Sequence, residues 1–340
     1  MEYRPLGRTG ITVSSFCLGT MMFGAWGDTT YEESEGMVHD ALDAGVNVFD
    51  TADIYDDGVS ERWLGLALQG HRDDVVLATK FHNPMGSDPN RRGNSRRWIM
   101  TAVEESLRRL RTDWIDLYQV HRPDPTIDID ETLGALSDLV HQGKIRAIGT
   151  STFPAPALVE AQWVAERRGR ERPVAEQPPY SVFARGVERD VLPVCQQYDI
   201  GVLVWAPLNG GWLTGKYRRG ATPPASSRAD RVPDHFDYGG RAHERKLDAV
   251  EALVAVADNA GLRLIDLAHA FVLAHPAVTT AILGPRSRAQ LADDLKGADT
   301  RLDDGVLDRI DAIVPPGEML NPVDAGYDPP SITDAAARRR

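Results

Sequence analysis

The sequence is poor in cysteine. It contains two among 340 residues, Cys17 and Cys195. Their separation is not that of a metal site, and they fall in a predicted strand and a predicted helix respectively. We therefore expect two reduced, buried thiols rather than a disulfide or a metal centre.

Long apolar runs and an excess of positive charge are also missing. No run reaches the roughly 18 apolar residues of a membrane span, and Met1–Pro5 lacks the apolar segment of a secretory leader. The net charge of −12 argues against nonspecific binding to nucleic acid. We expect a cytoplasmic protein with neither a membrane nor a nucleic acid as its partner.

Short apolar runs that end in a polar residue are present and recur along the chain. The runs that begin at Val46, Val75, Ile115 and Ile145 end near Asp50, Lys80, His121 and Ser151. Amphipathic, helix-like segments separate them. Polar residues that close successive buried strands are typical of a (β/α)8 barrel, whose active site lies at the C-terminal strand ends.

The remaining pattern completes eight alternations of strand and helix. Strands are predicted at Ser15–Leu18, Val46–Asp50, Val75–Lys80, Ile115–His121, Ile145–Ser151, Val174–Gln177, Gly201–Ala206 and Thr280–Leu283. This number favours a closed α/β TIM barrel over an open doubly wound sheet. We predict a single domain over residues 1–340, with an N-terminal hairpin at about 1–15, extra C-terminal helices, and a weakly packed tail at about 315–340. The stretch Asn209–Gly240 is predicted to be a long functional loop.

Four residues form the central candidate site: Asp50, Tyr55, Lys80 and His121. Each alone is compatible with a structural role, such as a solvated lysine or a histidine on the barrel rim. Together they make chemical sense, because Lys80 closes an apolar strand and Asp50 can neutralise it. A lysine cation beside Tyr55 should lower the phenol pKa and make it a proton donor, with His121 near the same reacting oxygen.

These motifs resemble those of the aldo-keto reductase family. The segments Asp50–Tyr55, Ala78–Lys80 and Gln119–Asp124 match its Asp, Tyr, Lys and His tetrad, and similarity extends from Leu18 to Leu291. The likeness is greatest to the branch of potassium-channel β subunits and related bacterial reductases. It implies a barrel that holds NADPH across its C-terminal face and reduces aldehydes or ketones, with Tyr55 as the general acid.

The resemblance also implies cofactor contacts, residue by residue. From the nicotinamide to the pyrophosphate these are Thr20, Met21, Asp50, Ser151, Gln177, Trp205, Pro207, Leu208, Gly210, Lys216 and Arg228. At the adenosine end they are Gly284, Arg286, Gln290, Asp293 and Asp294. Thr152 stands where relatives often carry Asn or Arg, and Asp294 stands where they carry Asn. We expect NADPH to be preferred over NADH, with Arg286 and Arg228 as the main cations for the 2′-phosphate.

The substrate is expected to be a small carbonyl compound in a pocket of large side chains. The candidate pocket residues are Phe23, Trp26, His82 and Arg122. The sequence names neither the compound nor the direction of the reaction, and it is compatible with a homo-oligomer.

Several other functions fit the sequence less well. Gly210–Lys216 nearly matches a phosphate-binding P-loop, but Tyr217 replaces the Ser or Thr that would hold Mg²⁺. No G-x-G-x-x-G motif follows a strand, which disfavours a Rossmann dehydrogenase. A metal site on Asp50 and His121 would lack a third ligand. The remaining alternative is a non-catalytic NADP(H)-binding sensor or regulatory subunit, which the complete tetrad disfavours.

Overall fold

The structure is a computed structural model that describes residues 1–222, 224, 227–231, 236 and 239–339, without the side chains of residues 230 and 231. The predicted loop Asn209–Gly240 therefore lies partly outside the described residues.

Parallel strands close into a barrel, which confirms the predicted fold class. The strands are β3 Phe16–Gly19, β4 Val48–Asp50, β5 Val76–Phe81, β6 Ile115–Val120, β7 Ile145–Ser151, β8 Pro173–Gln177, β9 Gly201–Val204 and β10 Val278–Leu283. They pair in chain order, and β10 pairs with both β9 and β3 to complete the circle. Strand β9 ends before the predicted Ala206, because beyond Val204 the pairing continues as an isolated bridge between Pro179 and Trp205.

Helices surround the barrel. They are α1 Tyr31–Asp43, α2 Val59–Ala67, α3 Arg96–Leu110, α4 Ile129–His141, α5 Ala155–Arg168, α6 Val191–Tyr198, α7 Arg228–Arg231, α8 Arg241–Asn259, α9 Leu264–Ala274, α10 Arg288–Leu295, α11 Asp304–Ile313 and α12 Pro330–Thr333. Polar side chains define several helix starts. Ser95, for example, accepts a hydrogen bond from the Trp98 N–H at the start of α3. None of the described helices is both long and apolar enough to cross a membrane.

The barrel interior explains how the site is positioned. One apolar residue from each strand packs inside: Cys17, Val48, Ala78, Leu117, Ala147, Ala175, Leu203 and Ile282. Side chains two positions apart point to the same face of a strand. Two residues after these interior positions lie Asp50, Lys80, Gln119, Gln177 and Trp205, which therefore also point inward. On β7 the inward-pointing Ser151 lies four residues after Ala147. The same inward-pointing positions that carry apolar residues in the core therefore carry these polar residues at the C-terminal end of the barrel.

The N-terminal hairpin closes the opposite end. Its strands, β1 Tyr3–Pro5 and β2 Thr12–Ser14, pair antiparallel, as predicted. Leu6 and Val13 are buried within the cluster that fills the barrel. The hairpin thus forms the bottom of the core.

The C-terminal segment packs more closely than its sequence indicated. Leu320 is buried in the main core and donates its N–H to the Phe183 carbonyl at 3.0 Å. Met319 forms a β-bridge with Ala184. The segment continues toward the C-terminal face of the barrel, where it takes part in the site described next.

Candidate active site

A buried ion pair lies at the ends of β4 and β5. The Lys80 Nζ is 2.6 Å from the Asp50 Oδ2, and it also donates to the Thr51 carbonyl at 2.8 Å. Both side chains are buried. Burial is the largest single influence and acts to lower the pKa of Lys80, but Asp50 and Tyr55 together outweigh it, and the pKa is raised. Lys80 is therefore a fixed cation at the C-terminal strand ends.

Two glutamines hold the second oxygen of Asp50. The amides of Gln119 and Gln177 donate to Asp50 Oδ1 at 3.0 and 2.8 Å. Gln177 also donates to the Gln119 Oε1 at 3.2 Å, so the two amides and the carboxylate form a connected network. The role of Gln119 was not foreseen, although its position two residues after the interior Leu117 is the signal that could have revealed it.

Tyr55 lies just beyond β4, above the lysine. Its hydroxyl is 3.4 Å from the Lys80 Nζ, and its ring centre is 5.1 Å from the same nitrogen. The expected lowering of its pKa needs correction. The Lys80 charge does act to lower the pKa, but burial acts more strongly in the opposite direction, and the net effect is a raised pKa. The phenol therefore keeps its proton throughout the neutral range.

His121 completes the group at the end of β6. Its ring meets the Tyr55 ring edge-on, with 5.9 Å between the ring centres. Burial, reinforced by the charges of Lys80 and Arg122, holds the pKa of His121 well below its usual range. The Asn83 amide nitrogen lies 3.1 Å from Nδ1. Since an amide N–H2 group can only donate, the neutral ring carries its proton on Nε2.

The residues expected near the nicotinamide lie along the same face. Thr20 is fully buried: its hydroxyl lies 2.7 Å from the Ser60 hydroxyl, its N–H donates to the Asp50 carbonyl, and its own carbonyl accepts from Ser60. The Ser151 hydroxyl donates to the Gln177 carbonyl at 2.9 Å. The Trp205 ring is partly buried, and its Nε1 is buried with no hydrogen-bond partner in the described part of the chain.

Predicted pyrophosphate and adenosine residues follow the loop after β9. Pro207 and Leu208 precede Gly210, a glycine with φ = +67° that approaches the Arg228 side chain. Lys216 lies close to Gly211, and its charge reaches the buried Asp294. Gly210 is therefore near Arg228, and Lys216 is near both Gly211 and Asp294.

The start of α10 carries the other adenosine-end residues. The Arg286 N–H donates to the Gln290 Oε1 at 2.9 Å, next to the exposed Gly284. Asp293 forms ion pairs with Arg263 and Lys296, both at 2.8 Å, so its carboxylate is already neutralised.

The expected substrate residues lie in different surroundings. A cleft of about 570 Å³ lies beside the candidate acid and is lined by Met21, Ala25, Trp26, Ile54, Tyr55, Asp56 and Asp57. Phe23, in contrast, is completely buried in the main core, because the loop after β3 turns its ring inward. His82 has φ = +144°, a strained backbone for a non-glycine residue, and its Nδ1 lies 2.8 Å from the Asn94 Oδ1.

The C-terminal segment forms a wall beside Trp205. A Cβ atom on Gly326 would come within 2.6 Å of the Trp205 ring, so only glycine fits there without movement. Nearby, the buried Lys246 of α8 binds the Asp324 Oδ2 and the Asn209 Oδ1, each at 2.7 Å. Asn209 donates to the same Asp324 oxygen at 3.0 Å. We call Asn209, Lys246 and Asp324 the tail latch, because they join the β9 loop, α8 and the tail.

No group of three or more His, Cys, Asp or Glu side chains in the described ranges is arranged to hold a metal ion. The arrangement offers a protonated phenol on the cleft, with a neutral imidazole and a fixed cation next to it. Such a set can donate a proton to an oxygen that gains negative charge.

Comparison with known proteins agrees with this geometry. Residues 15–315 match the model of the Aldo/keto reductase family. The chain is 39% identical over 328 residues to the uncharacterized oxidoreductase YrpG of Bacillus subtilis, covering 93% of this chain and 96% of that protein. It is 34% identical over 325 residues to a probable voltage-gated potassium channel subunit beta of Arabidopsis thaliana, covering 92% and 97%. It is 37% identical over 297 residues to the aldo-keto reductase YhdN of Bacillus subtilis, covering 86% and 87%.

Proposed function

The chain belongs to the aldo/keto reductase family, and from this premise we propose that it is an NADPH-dependent oxidoreductase that reduces aldehydes or ketones to alcohols. The observation that carries the proposal is the close grouping of Lys80 and His121 around Tyr55, which lines the cleft, with Asp50 as the counter-ion of Lys80.

The residues present fit nicotinamide adenine dinucleotide phosphate. Trp205 offers a partly buried aromatic face with an unpartnered Nε1 in the described region, next to Ser151 and Gln177. Lys216 and Arg228 lie along the β9 loop, and Arg286 lies at the start of α10. When bound, this cofactor would supply a hydride to the carbonyl carbon.

The side chains of this protein would supply the proton and the orientation. Tyr55 would donate its phenolic proton to the carbonyl oxygen as negative charge develops there. The His121 Nε2–H would hydrogen-bond the same oxygen and hold the carbonyl in place. Lys80 would stabilise the phenolate that Tyr55 leaves behind, and Gln119 would help to keep Asp50 oriented toward Lys80.

The test is direct. Purified protein is incubated with NADPH and a panel of aldehydes and ketones, and the loss of reduced-cofactor absorbance is followed. We expect turnover with several panel members, abolished or severely reduced in Tyr55→Phe. Absence of turnover across a broad panel, with the cofactor bound, would contradict the proposal.

That negative outcome would favour the second candidate, a cofactor-binding regulatory subunit. The similarity to a protein named as a probable potassium channel subunit beta is the observation in its favour. Tight binding of NADPH without turnover would separate this candidate from a protein that binds no cofactor at all.

A further inference from the structure

Arg122 directly follows His121 and is partly buried, and it lies near enough to Tyr55 for its charge to act on that phenol. Its Nη1 donates to the His121 carbonyl at 2.7 Å and to the Thr152 hydroxyl at 3.1 Å. Both acceptors are neutral. Across the described residues, the Arg122 guanidinium takes part in no ion pair, although the chain as a whole is acidic.

The hydrogen bonds that Arg122 makes leave part of its guanidinium group unused. A guanidinium carries five N–H donors, and the two bonds described above both start from Nη1. Nε and Nη2 have no hydrogen-bond acceptor among the described residues. This edge has the planar geometry that binds both oxygens of a carboxylate.

Nearby carboxylates are already committed elsewhere. Asp50 is bound to Lys80, and Asp124 accepts from the Thr126 hydroxyl at 2.6 Å. Glu176 is fully buried, accepts hydrogen bonds from Thr150 and Phe153, and has its pKa raised to about 7 by burial. Arg122 therefore has no carboxylate in direct contact among the described residues, although Glu176 acts on it at longer range, and its own charge acts to lower the pKa of both Tyr55 and His121.

The guanidinium is also held in place before any ligand arrives. Thr152 has φ = +59°, a left-handed conformation that is uncommon for a non-glycine residue, at the turn after β7. The Arg122 carbonyl accepts a hydrogen bond from the Asn94 amide at 3.1 Å. Since both backbone and side chain are fixed, little conformational entropy would be lost when an anion binds.

We propose that Arg122 binds a carboxylate group on the substrate, so that the preferred substrates are aldehydes or ketones that also carry a carboxylate. This inference rests on the proposed carbonyl reduction and names its substrate class. Arg122 is then a specificity-determining residue: Tyr55 and His121 meet the carbonyl, and Arg122 meets the anionic end.

The competing explanation is that Arg122 merely joins the ends of β6 and β7. A structural role of this kind would affect charged and neutral substrates alike. The two explanations therefore predict different ratios of kcat/KM between a charged substrate and a neutral one. This ratio does not depend on the amount of active protein.

The experiment compares 4-carboxybenzaldehyde with its neutral methyl ester, using NADPH and the wild type, Arg122→Met and Arg122→Lys. We expect the wild type to have the higher kcat/KM for the carboxylate. Arg122→Met should lower that value about 10- to 100-fold, mainly through KM, since a hydrogen-bonded charge pair is lost. The ester should lose much less, so that the ratio of the two kcat/KM values falls, and Arg122→Lys should give an intermediate ratio, because lysine keeps the charge without the fork.

Arg92→Met is the matched control. Arg92 is an exposed cation on the neighbouring loop after β5, and its replacement changes the net charge by the same amount. The kcat/KM ratio of the two substrates should stay at the wild-type value. Equal losses for both substrates in Arg122→Met, or a wild-type preference for the ester, would overturn the inference while leaving carbonyl reduction intact. Failure to reduce either compound or any other carbonyl would instead overturn the proposed function, and the inference with it.

Discussion

At the end of β4, Tyr55 experiences two opposing influences. The charge of Lys80 favours the phenolate, whereas burial favours the neutral phenol and prevails. A general acid must carry its proton when the substrate arrives, so the raised pKa suits carbonyl reduction at neutral pH. Lys80 is then best understood as stabilising the phenolate formed during the reaction rather than as acidifying the resting phenol.

Tyr55→Phe tests this role. The variant keeps the ring that contacts His121 and removes the proton, so carbonyl reduction should slow about 10²- to 10⁴-fold. NADPH affinity, measured by fluorescence titration, should change little. Near-normal turnover would remove Tyr55 from the acid role, and a large loss of cofactor affinity would point to a binding role instead.

Asp294 has a buried carboxyl whose pKa is raised to about 7, first by burial and then by the charge of Asp293. The native state therefore favours its protonated form. As pH rises from about 4 to about 7, the wild type should lose the stability that this preference confers, and above 7 the loss is complete.

Asp294→Asn removes this titration. Relative to the wild type, the variant should gain stability progressively between about pH 4 and 7 and be roughly 1–3 kcal/mol more stable at pH 8. Thermal unfolding across this pH range provides the measurement, and Asp308→Asn, at an exposed position of α11, is the control. Parallel curves for Asp294→Asn and the wild type would contradict the prediction.

The sequence allows contacts between residues at strand ends to be predicted, but not contacts that depend on the loops. Asp50 and Lys80 could be placed together, because both end apolar strands that are neighbours in a barrel. The bond from Asn83 to His121, the burial of Phe23 and the strained backbone of His82 could not, since they depend on loop conformation rather than on strand periodicity.

Among the elements, the start of α10 is where cofactor choice should be decided. Arg286 lies just before this helix, whereas Arg288, within its first turn, is already bound by both oxygens of Asp40 at 2.6 Å. The Arg288 guanidinium is thus committed to α1. Arg286 has no side-chain hydrogen bond within the described residues and is the better candidate for the 2′-phosphate.

We therefore expect the wild type to prefer NADPH over NADH. Arg286→Ala should raise KM for NADPH several-fold to a hundredfold, since one charge-assisted contact is lost, and should leave KM for NADH nearly unchanged. Arg288→Ala should affect the two cofactors equally, because Arg288 is already bound to Asp40. Equal losses in Arg286→Ala would assign Arg286 to the fold or the pyrophosphate, and a wild-type preference for NADH would reject the cofactor assignment.

The tail latch joins three elements through one buried cation. Burial lowers the pKa of Lys246, and Asp324 acts against that effect. Asp324→Asn leaves Lys246 without its counter-ion, which should loosen both the tail and the loop after Asn209. We expect faster amide hydrogen exchange at residues 207–216 and a higher KM for NADPH. Asp328→Asn, an exposed change four residues further on, should alter neither, and unchanged exchange in Asp324→Asn would argue against the latch.

The elements themselves were largely predictable. Short apolar runs that end in polar residues located the barrel strands. The packing of Leu320 was not predictable, because two adjacent apolar residues, Met319 and Leu320, among prolines and polar residues have no periodicity to reveal it.

For the whole molecule, the candidate catalytic residues and the hairpin that closes the core lie at opposite ends of the barrel. The candidate site lies at the C-terminal strand ends, whereas the hairpin closes the other end with Leu6, which is 1% exposed. A barrel is expected to divide its functions in this way.

Leu6→Ala tests the division. The lost side chain leaves a cavity in the barrel core, so the variant should be about 2–5 kcal/mol less stable in denaturant unfolding. At a temperature where it remains folded, kcat should match the wild type. Tyr55→Phe should show the reverse pattern, and a large loss of kcat in Leu6→Ala would show that the two ends are coupled.

The position of Gly326 against Trp205 has an evolutionary consequence. The tail reaches this aromatic ring from outside the strand–helix alternation, so mutations there do not disturb the register of the barrel. Descendants of one ancestral chain can therefore diverge in the space beside the indole by altering a short terminal segment, while the strand ends that carry the tetrad are inherited unchanged.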